Sequence, residues 1–375
     1  MSTPMSRRTF AALTGAATVS LMVRDLAAQD ATPMATPVAS PGSGEIRVRK
    51  NAKDLTGEEK KAFTDAIIAL KAKPSPWNPD LSAYDQFVFW HREAFECDNM
   101  AAHMGPAFLP WHRAYLWLFE QQLREIDPSV TLPYWDWTVD REIDSYLWQD
   151  DFMGGDGDPD DNYAVHTGPF RKGAWEITLF DQTDDERFPH LIRNMGVGEL
   201  APDLPTAEQV EEALAIETYD VAPWTEQSDH MASFRNYLEG WRECGPSVCS
   251  VDGSTDYPNC TGSHDMHNRV HLWVSGEMMF AHEGGHEEVY GPFGTMAWNS
   301  SPNDPVFFLH HANVDRIWTQ WMERHGRVYE PETGAMHGHN LHDHMWPFNE
   351  LGMHVTPAMM LDSRDWGFVY DTDEV

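Results

Sequence analysis

Cysteine is scarce in this chain, with four in 375 residues. That argues against a disulfide-built scaffold, and the length is ample for a well-buried core. Three of the four, Cys244, Cys249 and Cys260, fall in one Gly/Ser/Pro/Asp-rich insert. One disulfide there is expected after export, and spacing does not say which pair forms. Cys97 stands apart on an expected helix and reads as a small buried thiol. Positive charge is scarce too: Lys and Arg number 26 against 60 Asp and Glu, a formal charge of −34. Nucleic acid and anionic membrane surfaces are poor partners for such a chain. No apolar run approaches the ~20 residues of a membrane span. An internal repeat, a strand–turn–helix alternation and a phosphate loop are also missing. The fold class expected is mainly α, with long irregular connections and few or no strands.

What the chain does have begins with an address. Arg7-Arg8 precedes a mostly apolar run from Thr9 to Val23; Arg24 and Asp25 follow, then Leu26-Ala27-Ala28. Residues 1–28 read as a twin-arginine-type export signal, which implies a periplasmic or extracellular protein that folds before it leaves. Residues 29–45 are a Pro/Ala/Thr/Ser-rich spacer. Residues 46–375 are expected to form one catalytic domain. Thr56-Gly-Glu-Glu59 is a capping box and predicts a helix over 57–72. Further helices are expected over 82–96, from near His112 to Asp127, over 206–217, over 230–242, through His267–Val274, and from Pro305 to His325. Asp304 is the expected N-cap of the last one and Gly326 its C-cap. Residues 140–163 read as a long exposed acidic loop. Asp156, Asp158 and Asp160 alternate there as in a calcium loop, but no Gly-x5-Glu completes that motif.

Histidine is in excess, with 19 in all, and the clustering matters more than the number. In DMHNRVHLW, His267 and His271 are four apart, which on a helix sets both imidazoles on one face. His310-His311 follows the apolar run VFFL. Helix neighbours point about 100° apart, so only one of the two is expected to join the cluster. Upstream, His91 lies in YDQFVFWH, and His103 and His112 are nine apart in HMGPAFLPWHRAYLWLFE. Two groups of three histidines result. Imidazole-only sites suit copper, zinc, iron or nickel. The surrounding Phe87, Trp90, Phe108, Leu109, Trp111, Phe307 and Phe308 supply a dry shell.

Five segments taken together, YDQFVFWH, HMGPAFLPWHRAYLWLFE, FRNYLEGW, HNRVHLWVSGEM and SPNDPVFFLHHANVDRIW, resemble the tyrosinase family of type 3 copper proteins. The resemblance covers about residues 46 to 371. It implies a helical bundle around two copper ions that bind O2 as co-substrate. His91, His103 and His112 would hold the first ion, and His267, His271 and His311 the second. His310 matches the family's neighbouring, non-ligand histidine. Glu239 and Asn268 match the pair thought to hold a water that helps deprotonate a phenol, which implies a monophenol-hydroxylating and o-diphenol-oxidising enzyme with small phenolic substrates. Asp315, one turn after His311, is expected either to orient a ligand imidazole or to make a helix-surface ion pair.

Some positions depart from the family pattern. Ala101 stands where many members carry a cysteine bonded to a ligand histidine, so no thioether is expected. The segment 241–265 is longer than in compact bacterial members and separates Glu239 from Asn268 in sequence. A second insert, residues 280–300, is expected to border the active-site mouth, with Met296 as a wall residue. The chain ends soon after WGFVYD, so no C-terminal shielding domain is expected. A separate copper-delivery protein is compatible with this reading, though no residue marks one. Rival readings are a catechol or o-aminophenol oxidase, and a hemocyanin-like O2 carrier. His282-Glu-Gly-Gly-His286 matches a zinc-protease pattern, but its glycines favour a loop. His337, His339, His342, His344 and His354 read as surface histidines.

Overall fold

The computed structural model describes residues 46–96, 101–181, 188–243, 248–249, 255–256, 265–281, 287–292 and 294–373. The expected export signal and spacer, Cys97, Cys244, Cys260 and the His282/His286 pair lie outside those residues. Helices dominate, as expected. They are α1 (Gly57–Ala72), α2 (Asp85–Glu93), α3 (Phe108–Ile126), α4 (Ala207–Leu214), α5 (Phe234–Glu239), α6 (Met266–Ser275) and α7 (Val306–His325). Strands are short but more numerous than expected. The first, β1 (Arg47–Arg49), pairs in parallel with the last, β8 (Phe368–Tyr370). Between them lie three antiparallel pairs: β2 (Gly157–Asp158) with β3 (Ala164–Val165), β4 (Val248–Cys249) with β5 (Thr255–Asp256), and β6 (Glu277–Ala281) with β7 (Glu287–Pro292).

Local rules explain most boundaries. α1 has the predicted bounds because Thr56 and Glu59 cap each other reciprocally, with Thr56 Oγ1 accepting from the Glu59 amide at 3.2 Å and Glu59 Oε2 accepting from the Thr56 amide at 2.9 Å. α6 stops at Gly276, whose amide bonds Leu272 O at 2.8 Å. α5 is shorter than the predicted 230–242. Ser233 opens it and Gly240 closes it at φ +101°, where a Cβ would lie 2.0 Å from Asp265 O. α2 is trimmed likewise, to Asp85–Glu93. α3 begins at Phe108, a turn earlier than expected, so His112 lies inside the helix. No Ser, Thr or Asp marks that start; the Ala107 amide donates instead to Nδ1 of the distant His339, at 3.2 Å. α7 starts at Val306 after Pro305; Asp304 Oδ1 accepts from the Val306 amide at 3.2 Å, as a cap does, while Arg193 holds the same carboxylate at 2.7 and 2.8 Å.

The core sits where α3 meets α7. α1 packs on α3, α4 and α6 pack on α7, and α5 packs on α6. α3 is buried all round from Phe108 to Glu120 rather than on one face, and α7 from Val306 to Thr319. Phe119 stacks on Phe308 with centroids 3.5 Å apart, which locks the two helices in register. The expected exposed loop over 140–163 is half a core element: Leu147, Trp148, Phe152 and Met153 are buried. Asp156 Oδ1 there accepts from the Gly157 and Met195 amides.

Candidate metal centre

Each histidine of the two predicted groups is placed by a helix or a tight turn. α2 carries His91, the turn before α3 carries His103 beside Met104 at φ +58°, and α3 carries His112. One nitrogen from each of the three lies within 4.8 Å of the others. α6 carries His267 and His271, and α7 carries His310 and His311. Nε2 of His267 lies 3.1 Å from Nε2 of both His271 and His311, and the last two are 3.2 Å apart. The groups face each other, with His112 and His311 stacked at 4.3 Å between centroids.

The other ring nitrogen decides what each Nε2 can do. His91 Nδ1 donates to Asn299 O at 2.6 Å, His112 Nδ1 to Phe108 O at 2.8 Å, and His271 Nδ1 to Met296 O at 2.7 Å. That fixes the tautomer and turns each Nε2 lone pair inward. Nε2 of His91 and His112 and Nδ1 of His103 are buried without a hydrogen-bond partner. Burial lowers the pKa of all seven imidazoles, His112 to about 3 and His271 to about 4. They are neutral near pH 7, the form that binds a metal. Lone pairs converging at 3.1–3.2 Å repel one another unless a cation sits among them. The donor set fits a metal ion in each group.

His310 corrects one expectation. A nitrogen of His310 also lies within 4.8 Å of the second group, so both adjacent histidines reach the cluster. Their roles still differ. His310 Nδ1 accepts from the Trp137 indole at 3.2 Å, and its ring stacks on His267 at 5.1 Å. Asp315 orients no imidazole and lies on no surface. Its carboxylate is buried, accepting from Arg113 Nε at 2.6 Å and from the Tyr370 hydroxyl at 2.6 Å. His339 is 2% exposed, against the surface expectation. It packs against Gly105, where a Cβ would lie 2.6 Å from its ring.

Glu239 and Asn268 come together despite the insert between them. A Cβ on Gly240, next to Glu239, would lie 3.3 Å from Asn268 Cβ. His267 Nδ1 sits 3.3 Å from Glu239 O and 3.0 Å from Asn268 Oδ1. The Glu239 carboxylate is fully buried, with Oε1 accepting from the Met104 amide at 2.6 Å and Oε2 from Arg235 at 3.0 Å. Burial pushes its pKa up to about 7 against the pull of Arg235. Asn268 Nδ2 is buried without a hydrogen-bond partner. A cavity of about 230 Å³ opens onto both histidine groups, and its lining includes Asn268 and Met296. Sequence reading missed other lining residues. Phe95 stacks on His103 at 3.8 Å, and its spacing of four from His91 was the available signal. Trp241 closes the quoted LEGW motif. Trp298, Asn299 and Ser301 carried no signal of their own.

Two facing groups of buried, neutral imidazoles inside a helical bundle define a dinuclear protein of the type 3 copper class. A family profile described as the common central domain of tyrosinase matches residues 81–324. A tyrosinase from Streptomyces glaucescens is 38% identical over 88% of this chain and its own full length. Grixazone synthase from Streptomyces griseus is 35% identical over 87% of this chain and 99% of its own. Among solved structures, a polyphenol oxidase from Thermothelomyces thermophila shares the fold at TM-score 0.60 and 20% identity, covering 88% of this chain and 89% of that one. The chain belongs to the tyrosinase family. It is a dicopper phenol oxidase.

Proposed function

We propose that this enzyme hydroxylates monophenols and oxidises o-diphenols to o-quinones with O2, with His91, His103 and His112 holding one copper and His267, His271 and His311 the other. The observation that carries the monophenol half is Asn268 Nδ2, a buried donor without a partner beside the cavity. The copper pair, when bound, supplies O2 binding and the two-electron oxidation. The chain's own residues do the rest. The cavity is smaller than the ~300 Å³ at which drug-sized pockets begin, so it suits one phenol ring. Phe95, Trp241 and Met296 keep the ring dry. A phenol with pKa ≈ 10 must lose its proton to bind a metal. Asn268, whose Oδ1 is turned to His267 Nδ1, is left with an N–H to hold a water or the phenol oxygen, with the Glu239 backbone carbonyl at the same ring nitrogen. Each o-diphenol gives up two electrons and two protons, and two of them reduce one O2 to two waters.

O2 uptake by the copper-loaded protein, with p-cresol set beside 4-methylcatechol, tests this. Both should turn over, and Asn268→Ala should lower the monophenol rate by roughly tenfold more than the catechol rate, as expected for loss of one positioned proton-transfer group. The grixazone synthase relative favours an o-aminophenol oxidase as the second reading. Turnover of catechol and o-aminophenol without p-cresol would establish it. Two bound coppers without any turnover would return the protein to the carriers. We further propose twin-arginine export, resting on Arg7-Arg8 and the apolar run behind them. Arg7→Lys combined with Arg8→Lys should leave the protein in the cytoplasm.

A further inference from the structure

More than half of the described cavity lining comes from a stretch of chain that carries no positive charge. Between Arg269 and Arg316 there is neither lysine nor arginine, while the same stretch holds Glu277, Glu283, Glu287 and Glu288. That stretch supplies His271, Leu272, Met296, Ala297, Trp298, Asn299 and Ser301, more than half of the cavity lining. No lysine, arginine, aspartate or glutamate is among the described lining residues.

The arginines next in sequence to lining residues are already committed to carboxylates. Arg92, beside His91, donates to Glu93 at 3.0 Å. Arg242, beside Trp241, and Arg269, beside Asn268, both pair with Asp265, Arg269 at 2.8 Å. Around this sits a chain of formal charge −34. The summed charge of such a body gives a negative long-range potential, which no charged side chain of the described lining offsets. An anionic substituent on the ring meets that potential without a lysine or arginine among the described lining residues to receive it, and an ammonium is drawn in.

We propose that the site selects phenols by charge. It takes neutral phenols and, above them, phenols bearing an alkylammonium side chain, and it discriminates against carboxylated ones. The preference arises in the field at the opening rather than in a contact with the reacting oxygen. It rests on the phenol-oxidase assignment but not on the monophenol half of the reading above.

The test uses catechols only, so that hydroxylation is not involved. kcat/KM of the copper-loaded enzyme is measured for dopamine, 4-methylcatechol and 3,4-dihydroxyphenylpropionate at pH 7, at ~10 mM and ~500 mM salt. At low salt dopamine should exceed the propionate by roughly tenfold or more, with 4-methylcatechol between them. At high salt, where the screening length falls below ~5 Å, the ratio should shrink by severalfold. Ala297→Lys, which places a cation in the lining, should raise the propionate at least severalfold relative to 4-methylcatechol in the same variant. That internal reference separates a change of preference from a damaged site. A dopamine-to-propionate ratio near one at low salt overturns the proposal, as does a ratio that salt leaves unchanged. If 4-methylcatechol fails to turn over, the oxidase assignment itself falls, and the proposal with it.

Discussion

At the scale of single residues, the centre is defined by which nitrogen each imidazole has left to offer. His310 and His311 are adjacent, yet the Nε2 of His311 completes a triangle while His310 accepts from Trp137. His311→Ala should therefore leave one copper per chain, and His310→Gln should keep two; metal analysis of purified protein decides between them. Asp373 makes a separate prediction. Burial raises its pKa to about 6, with Glu323 and Asp315 adding to the effect and Arg113 opposing it. The folded protein then binds more protons than the unfolded chain between about pH 4 and pH 6, so this group's contribution falls as pH rises through that window. Asp373→Asn should remove that slope and stabilise the protein at pH 7 by about 1 kcal/mol, allowing for screening at a partly open site. Denaturant titrations of both proteins at pH 5 and pH 7 would show it, and equal stabilities at both pH values would refute it.

At the scale of elements, the bundle is tied by charges as well as by rings. Arg49 on β1 donates to Glu120 on α3 at 2.9 Å, both fully buried, and Arg113 on α3 reaches Asp315 on α7. Glu120→Gln would leave Arg49 without its nearest carboxylate and should cost about 3 kcal/mol in a denaturant titration. Thr56→Ala should cost only about 1 kcal/mol, because it removes one exposed cap. These elements also show what could be read ahead. α1 and α6 were legible to within a residue or two because their ends are written locally, in a capping box and in Gly276. The start of α3 was not, because its partner His339 lies 232 residues away. The same holds for Asp315, whose partners Arg113 and Tyr370 are long-range. The histidine groups were legible through helical spacing and the family motifs. The lining residues Trp298, Asn299 and Ser301 come from irregular chain, which has no period to read.

At the scale of the whole molecule, copper and fold are coupled. Seven imidazoles, six of them on buried residues, converge with several nitrogens unsatisfied, so ions that bind only the folded chain should stabilise it strongly. Chelation should lower the melting temperature by several degrees without changing helix content, since at a thousandfold excess over Kd a bound ligand contributes about 4 kcal/mol. Calorimetry and circular dichroism on the same samples would check both halves. The parallel pairing of β1 with β8 carries a different consequence. Arg47 lies opposite Phe368, and the guanidinium of Arg49 sits 3.7 Å over the Phe368 ring. The first strand of the described residues is thus completed by the last one. A nascent chain halted before Phe368 has no partner for β1, so closure of this pair waits until β8 has been made. Because β1 and β8 lie side by side, residues 46–373 can be joined head to tail and reopened in a surface loop, giving a circular permutant with the same metal centre.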